Sequence, residues 1–146
     1  MSEKPAEQLW KFQVQHKKTP EKDAEEFYNW YKNKLMPECV RLIKKYNIPR
    51  YSVFYTPPAL RQPWRDEFDN RLQKPHWEIP DWDATTCYWV HHPDDIRKLQ
   101  ADPEWTSRVN AMEEGWIASA VHISIGYETV YFDDGKVLNM SASRGC

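Results

Sequence analysis

An α+β fold with the order strand, helix, strand, strand, helix, strand is predicted by three observations. Trp10, Phe12, Val14 and His16 alternate strictly with Lys11, Gln13 and Gln15, the period of a half-buried strand. Two apolar stripes at helical spacing follow, one through Ala24, Phe27, Tyr28, Tyr31 and Leu35 and one through Trp105, Val109, Met112 and Trp116. Three further runs, 50–56, 84–91 and 119–131, are rich in β-branched and aromatic residues.

The first helix is expected to open at Thr19-Pro20, an N-cap followed by proline in the first turn, with Glu21, Asp23, Glu25 and Glu26 favoured by the helix dipole. Pro37 is expected to kink or restart it before Cys39, Val40 and Ile43 continue the stripe to Tyr46, and Ile48-Pro49 ends it. The second strand sets Tyr51, Val53 and Tyr55 against Ser52, Phe54 and Thr56. Segment 57–82 holds Pro57, Pro58, Pro63, Pro75 and Pro80 among Trp64, Phe68, Trp77 and Trp82; rings of that size predict an ordered excursion with one short helix near 64–72. Strand three, 84–91, is followed by His92-Pro93-Asp94-Asp95 opening a short helix through Leu99 and by Asp102-Pro103 starting the next. In the last strand Val121, Ile123 and Ile125 share one face and His122 and Ser124 the other; Asp133-Asp134-Gly135-Lys136 is a turn, and 139–146 is a loose tail.

This order is the ferredoxin-like βαββαβ arrangement, with helices on one face of an antiparallel sheet. Strands two and three are apolar or aromatic on both faces, so a second copy of the chain is expected to cover the other face as a homodimer.

Composition narrows the function. The 146 residues make one domain, 1–146, and 20 Lys+Arg against 22 Asp+Glu leave a net charge of −2, which excludes the basic face that nucleic acid or an anionic membrane requires. No apolar segment follows the first charges, and the apolar run 115–127 is shorter than the roughly 20 residues of a bilayer span. A cytoplasmic protein with a small-molecule substrate is expected. Three cysteines without CxxC spacing argue against a disulfide framework or a structural zinc, and Cys87 is read as a buried small hydrophobe. Four glycines at 115, 126, 135 and 145 build no phosphate loop, so no nucleotide cofactor is expected.

The set Asp81-Trp82-Asp83, Asp102-Pro103-Glu104-Trp105 and Ser124-Ile125-Gly126-Tyr127-Glu128, with Tyr131, Asp134-Gly135-Lys136, His16-Lys17-Lys18 and Glu26-Phe27, resembles the fungal EthD-domain proteins over roughly residues 10–138. The resemblance implies a dimeric α+β barrel in which each subunit keeps a cavity between its sheet and its helices. It also implies a cofactor-free enzyme of secondary metabolism: an acid–base lyase, cyclase or isomerase, of the decarboxylase or dehydratase type, acting on an aromatic or polyketide-like substrate. A cofactor-independent monooxygenase and a non-catalytic ligand-binding dimer are the alternatives. The aromatic insertion and the His91-His92 pair depart from the family pattern.

Such chemistry needs one group that moves a proton near neutral pH and one that stabilises an enolate. His16 leads, because it continues the Trp10, Phe12, Val14 strand toward the helices; the competing reading is a surface histidine at a strand end. His122 is a second candidate, set against a dimer-interface role, and Asp83 could orient a histidine or merely bond backbone at the strand start. Tyr51 and Tyr55 offer phenols from one face of strand two, and Phe27 and Tyr31 lie on the helix face above. His76 on the insertion could close over a ligand. Trp89 and His91 share a strand face that reaches a pocket mouth, and Trp116 ends the second stripe near the cavity. His91 and His92 point to opposite sides of a strand, so with Asp94 and Asp95 they do not make a metal site.

Overall fold

The computed structural model describes residues 8–140. Four strands, β1 (Trp10–His16), β2 (Arg50–Tyr55), β3 (Ala84–Val90) and β4 (His122–Tyr127), form one antiparallel sheet in the order β2-β3-β1-β4. Helix α1 (24–43) and, after β3, helices α3 (Asp94–Ala101) and α4 (105–113) lie on one face, giving the expected ferredoxin-like arrangement. The excursion after β2 carries helix α2 (58–71), and a small hairpin, β5 (Phe132–Asp133) and β6 (Lys136–Val137), follows β4. No helix among the described residues is long and apolar enough to cross a membrane.

Helix α1 begins four residues later than Pro20. Asp23 is the N-cap: its carboxylate accepts the Glu26 N–H at 2.8 Å, and the D-x-x-E spacing is a capping-box pattern that sits closer to the apolar stripe than Thr19 does. Thr19 instead ties α1 to the end of α4, its N–H donating to the Trp116 carbonyl and its hydroxyl to that of Gly115, both at 2.9 Å. Pro37 does not break the helix. A π-turn over Tyr31–Leu35, closed by the Met36 N–H on the Tyr31 carbonyl, widens the backbone just before the proline, where an ordinary turn would clash with its ring.

The core is the seam between α1 and the sheet, with Phe27, Tyr31, Leu35 and Leu42 buried against Ala84 and Tyr88, extended by Leu99, Trp105 and Val109 from α3 and α4. Strand β4 is shorter than the run 119–131, and its helix-facing Ile123 and Ile125 are 58% and 61% exposed because no helix reaches this edge. The β5–β6 turn places Asp134 and Gly135 at φ +50° and +72°, the left-handed pair that a two-residue hairpin requires and that Asp-Gly supplies. Helix α2 starts earlier than residue 64. It packs over the outer face of the sheet, against the side of Gln13, Gln15, Phe54 and Thr85, with an aromatic pocket of about 500 Å³ between them. The insertion therefore does not cover the sheet–helix layer. Cys39 and Cys87 are both buried and free, and Cys146 lies outside the described residues, as does most of the tail.

Candidate active site

Between the sheet and helices α3 and α4 lies a cavity of about 410 Å³. Its floor is the helix-facing row Phe12, Val14 and His16 of β1 with Thr86 and Tyr88 of β3; its roof is Ile96 and Gln100 of α3 and Trp105, Asn110 and Glu113 of α4. Its open side is Val121, Ile123 and Ile125, at and just before β4.

His16 closes one end. Alternation along β1 points its ring inward, it is 7% exposed, and its Nδ1 lies 3.1 Å from the Tyr31 hydroxyl. Burial holds its pKa down at about 4, so the imidazole is neutral at neutral pH. Burial also pushes the Tyr31 phenol well above its ordinary value, so that hydroxyl keeps its proton. Glu113 lines the same cavity from α4, and its charge helps to raise the phenols of Tyr31 and Tyr88 and the thiol of Cys39. Desolvation raises the Glu113 carboxyl to about 7. A neutral imidazole and a carboxyl raised to about 7 thus line one cavity.

Glu113 was not among the residues singled out in the sequence. The signal was there: Trp105, Val109 and Glu113 are spaced i, i+4, i+8, so the acid falls on the apolar face of its own helix. Tyr88 likewise lines the cavity.

The other candidates are distributed differently. His122 is exposed on the outer face, its ring 4.6 Å from that of Trp82, so the sheet separates it from His16. Asp83 is buried and fully engaged elsewhere: its carboxylate accepts the Lys18 N–H and the Arg61 guanidinium, each at 2.8 Å, and it reaches His16 only through its backbone N–H on the His16 carbonyl. Phe27 is core. Tyr51 packs on Tyr88 at 4.8 Å with its hydroxyl toward the Met36 sulfur, and Tyr55 packs edge-on against Tyr28 and Tyr31. Trp89 faces outward beneath Arg50 and Lys11, His76 and His91 are exposed and line neither pocket, and Trp116 stacks on Trp30 at 4.8 Å without lining the cavity. His92 Nδ1 accepts the Asp94 N–H at the start of α3. Among the described residues no group of three or more His, Cys, Asp or Glu is placed to hold a metal ion.

Tyr31→Phe isolates the contact with His16. The variant is expected to fold, losing about 1 kcal/mol with the hydrogen bond, and to lower kcat roughly tenfold with KM little changed, because one positioning contact to the ring is lost. Steady-state kinetics beside thermal unfolding check both parts.

Fold and cavity together define a ferredoxin-like α+β domain with a titratable pocket between its layers. The chain belongs to the EthD domain family, whose model matches residues 19–120. Dehydratase iacD of the fungus Pestalotiopsis fici is 31% identical over 130 residues, which cover 89% of this chain and 93% of that protein. Among solved structures, an ethyl tert-butyl ether D (EthD) family protein from Bacillus halodurans has a TM-score of 0.54 at 12% identity, over 83% of this chain and 99% of that one. A dimeric protein of unknown function and ferredoxin-like fold from Bacteroides fragilis has a TM-score of 0.53 at 11% identity, over 82% and 96%. These likenesses are of fold.

Proposed function

We propose that the protein is a dehydratase-type enzyme that needs no cofactor and acts on an enolisable, polyketide-like or aromatic small molecule in the His16–Glu113 cavity. The observation that carries the reading is the Glu113 carboxyl, held near neutrality in an apolar pocket that also presents a neutral histidine. The name of the relative Dehydratase iacD supports the reaction class.

The roles follow from the charges. With Tyr31 donating its O–H to Nδ1, the His16 proton resides on Nε2, which donates to the substrate carbonyl and stabilises the enolate. Ionised Glu113 takes the proton from the carbon next to that carbonyl. The electron pair passes through the enolate and expels the β-hydroxyl, which collects the same proton from Glu113 and leaves as water. The carboxylate is regenerated, and a carbon–carbon double bond is formed with no oxidant or reductant.

A homodimer formed through the outer sheet face belongs to this reading. It is supported by exposed Phe54, Trp64 and Trp77 on that side, an apolar surface that isolated domains seldom leave open.

The test supplies a β-hydroxy ketone to the purified protein and follows enone absorbance and loss of one water by mass spectrometry, with oxygen uptake and solution mass recorded in parallel. Enone formation without oxygen uptake, with kcat/KM rising as pH climbs through about 7 as Glu113 ionises, is the expected result. Oxygen consumption would instead identify a monooxygenase, ligand recovered unchanged a binding protein, and a solution mass of one chain would remove the dimer.

A further inference from the structure

The pocket of about 500 Å³ beneath helix α2 lies on the outer face of the sheet, and the proposed reaction makes no use of it. Gln15 stands one residue before His16 and therefore points to the opposite side of β1, away from the His16–Glu113 cavity. It pairs with Thr85 of β3, which pairs in turn with Phe54 of β2, so a carboxamide, a hydroxyl and a phenyl ring form one row across the floor. Trp64 and Phe68 of α2, with Trp82 at the end of the insertion, supply aromatic walls. Neither the Gln15 carboxamide nor the Thr85 hydroxyl has a hydrogen-bond partner among the described residues, although Gln15 is half-buried and Thr85 is 5% exposed. As cross-strand partners their Cβ atoms stand about 5 Å apart. Polar groups in such surroundings are as a rule paired, so this unpaired couple marks where the polar edge of a ligand fits.

Charge narrows the ligand further. Arg61 is the charged residue of the lining, and the Asp83 carboxylate already matches its guanidinium at 2.8 Å, so the pocket offers an ion no free counter-charge. We infer that this pocket is a second ligand site, for a neutral planar aromatic molecule that carries a hydrogen-bond donor and an acceptor side by side. Its rings pack against Trp64, Phe68 and Trp82, and its polar edge meets the Gln15 carboxamide, whose oxygen accepts and whose NH₂ donates. The site does not depend on the proposed dehydration, and all of its lining comes from one chain.

The probe is 2-naphthamide, a neutral two-ring body with a donor–acceptor edge, and 2-methylnaphthalene is the same body without that edge. Equilibrium dialysis against the whole protein is expected to show saturable binding of 2-naphthamide at one site per chain. Gln15→Leu keeps the bulk of the side chain and is expected to weaken 2-naphthamide about tenfold through the lost hydrogen bonds while leaving 2-methylnaphthalene unchanged. Trp64→Ala is expected to weaken both about tenfold through the lost ring contact; Trp64 is 51% exposed on a helix surface, so this variant keeps its fold should Gln15→Leu not. Glu113→Gln, on the other side of the sheet, is expected to leave both affinities as they are.

Absence of saturable binding, or an affinity that neither outer-face variant moves, overturns the inference. So does weakening by Glu113→Gln alone, which would put the probe in the cavity between sheet and helices, or an affinity that falls as the protein is concentrated, which would mean that a second copy of the chain occupies the pocket. None of these binding outcomes bears on the acid–base reading, which is decided by turnover of the β-hydroxy ketone.

Discussion

Glu113→Gln is expected to lower kcat by about 10²- to 10⁴-fold, the usual worth of a positioned general acid or base. The amide keeps the size and much of the polarity of the carboxyl but accepts no proton from carbon. The fold is expected to persist, because α4 is anchored by buried Trp105 and Val109 rather than by the acid. Stability carries an independent signature. The folded-state pKa of Glu113 is raised from 4.5 to about 7, so between those values the native state holds a proton that the unfolded chain has lost. Its stabilising contribution is complete below 4.5 and disappears as pH rises through about 7. Relative to the unmodified protein, Glu113→Gln should therefore gain roughly 3 kcal/mol on going from pH 4 to pH 8, at about 1.4 kcal/mol per pKa unit. Urea unfolding at several pH values measures this. Activity within tenfold of the unmodified protein would sink the base assignment, and an unchanged pH dependence would mean that the carboxyl is not desolvated.

His16 and Glu113 were unequally legible in the sequence for a physical reason. A strand repeats every two residues, so Trp10, Phe12, Val14 and His16 declare one face without ambiguity, and that face meets the helices. A helix repeats every 3.6 residues, and the stripe Trp105, Val109, Met112, Trp116 could be traced while passing over Glu113, which stands beside Met112 on the same side. Charged residues on amphipathic helices usually face water, and only the packing of α4 over the sheet places this one at the cavity. Helix α1 starts after Asp23 rather than at Thr19-Pro20 because the Asp23 carboxylate caps the Glu26 N–H where the apolar stripe begins. Segment 57–82 was legible as ordered and aromatic, but not as to side. Its partners Gln13 and Gln15 belong to a strand distant in the chain, and no local period encodes which sheet face they and the adjoining Thr85 present to it. Placing the insertion on the outer face removes it as a lid over His16 and leaves Asp83 as its structural anchor.

That anchoring leads to the largest expected change in stability. Arg61, in the first turn of the α-helical part of α2, donates through Nη2 to the Asp83 carboxylate at 2.8 Å and to the carbonyls of Thr56 and Trp82 at 3.1 and 2.6 Å. Its side chain is only 11% exposed and that of Asp83 only 6%, so neither charge has water to fall back on. One guanidinium thereby joins the end of β2, the end of the insertion and the residue before β3. Arg61→Ala removes the partner and strands a buried carboxylate with the Lys18 N–H as its remaining donor to the side chain. Breaking a buried pair from one side costs about 3–5 kcal/mol, which for a domain of this size lowers Tm by roughly 10 °C. Asp83→Asn in the Arg61→Ala background should recover part of the loss, because the uncompensated charge disappears although the two carbonyls remain without their donor. Surface pairs such as Arg97 with Asp94 should change stability by less than about 1 kcal/mol when broken. Thermal unfolding of the two single variants and the double variant forms a cycle whose coupling energy measures the pair. If Arg61→Ala unfolds within 1 kcal/mol of the unmodified protein, as judged against about 1 kcal/mol for a surface pair, the insertion is not held by this contact. If instead the loss is large and proteolysis cuts first within 57–82, the aromatic excursion is shown to depend on one buried guanidinium for its place on the outer face of the sheet.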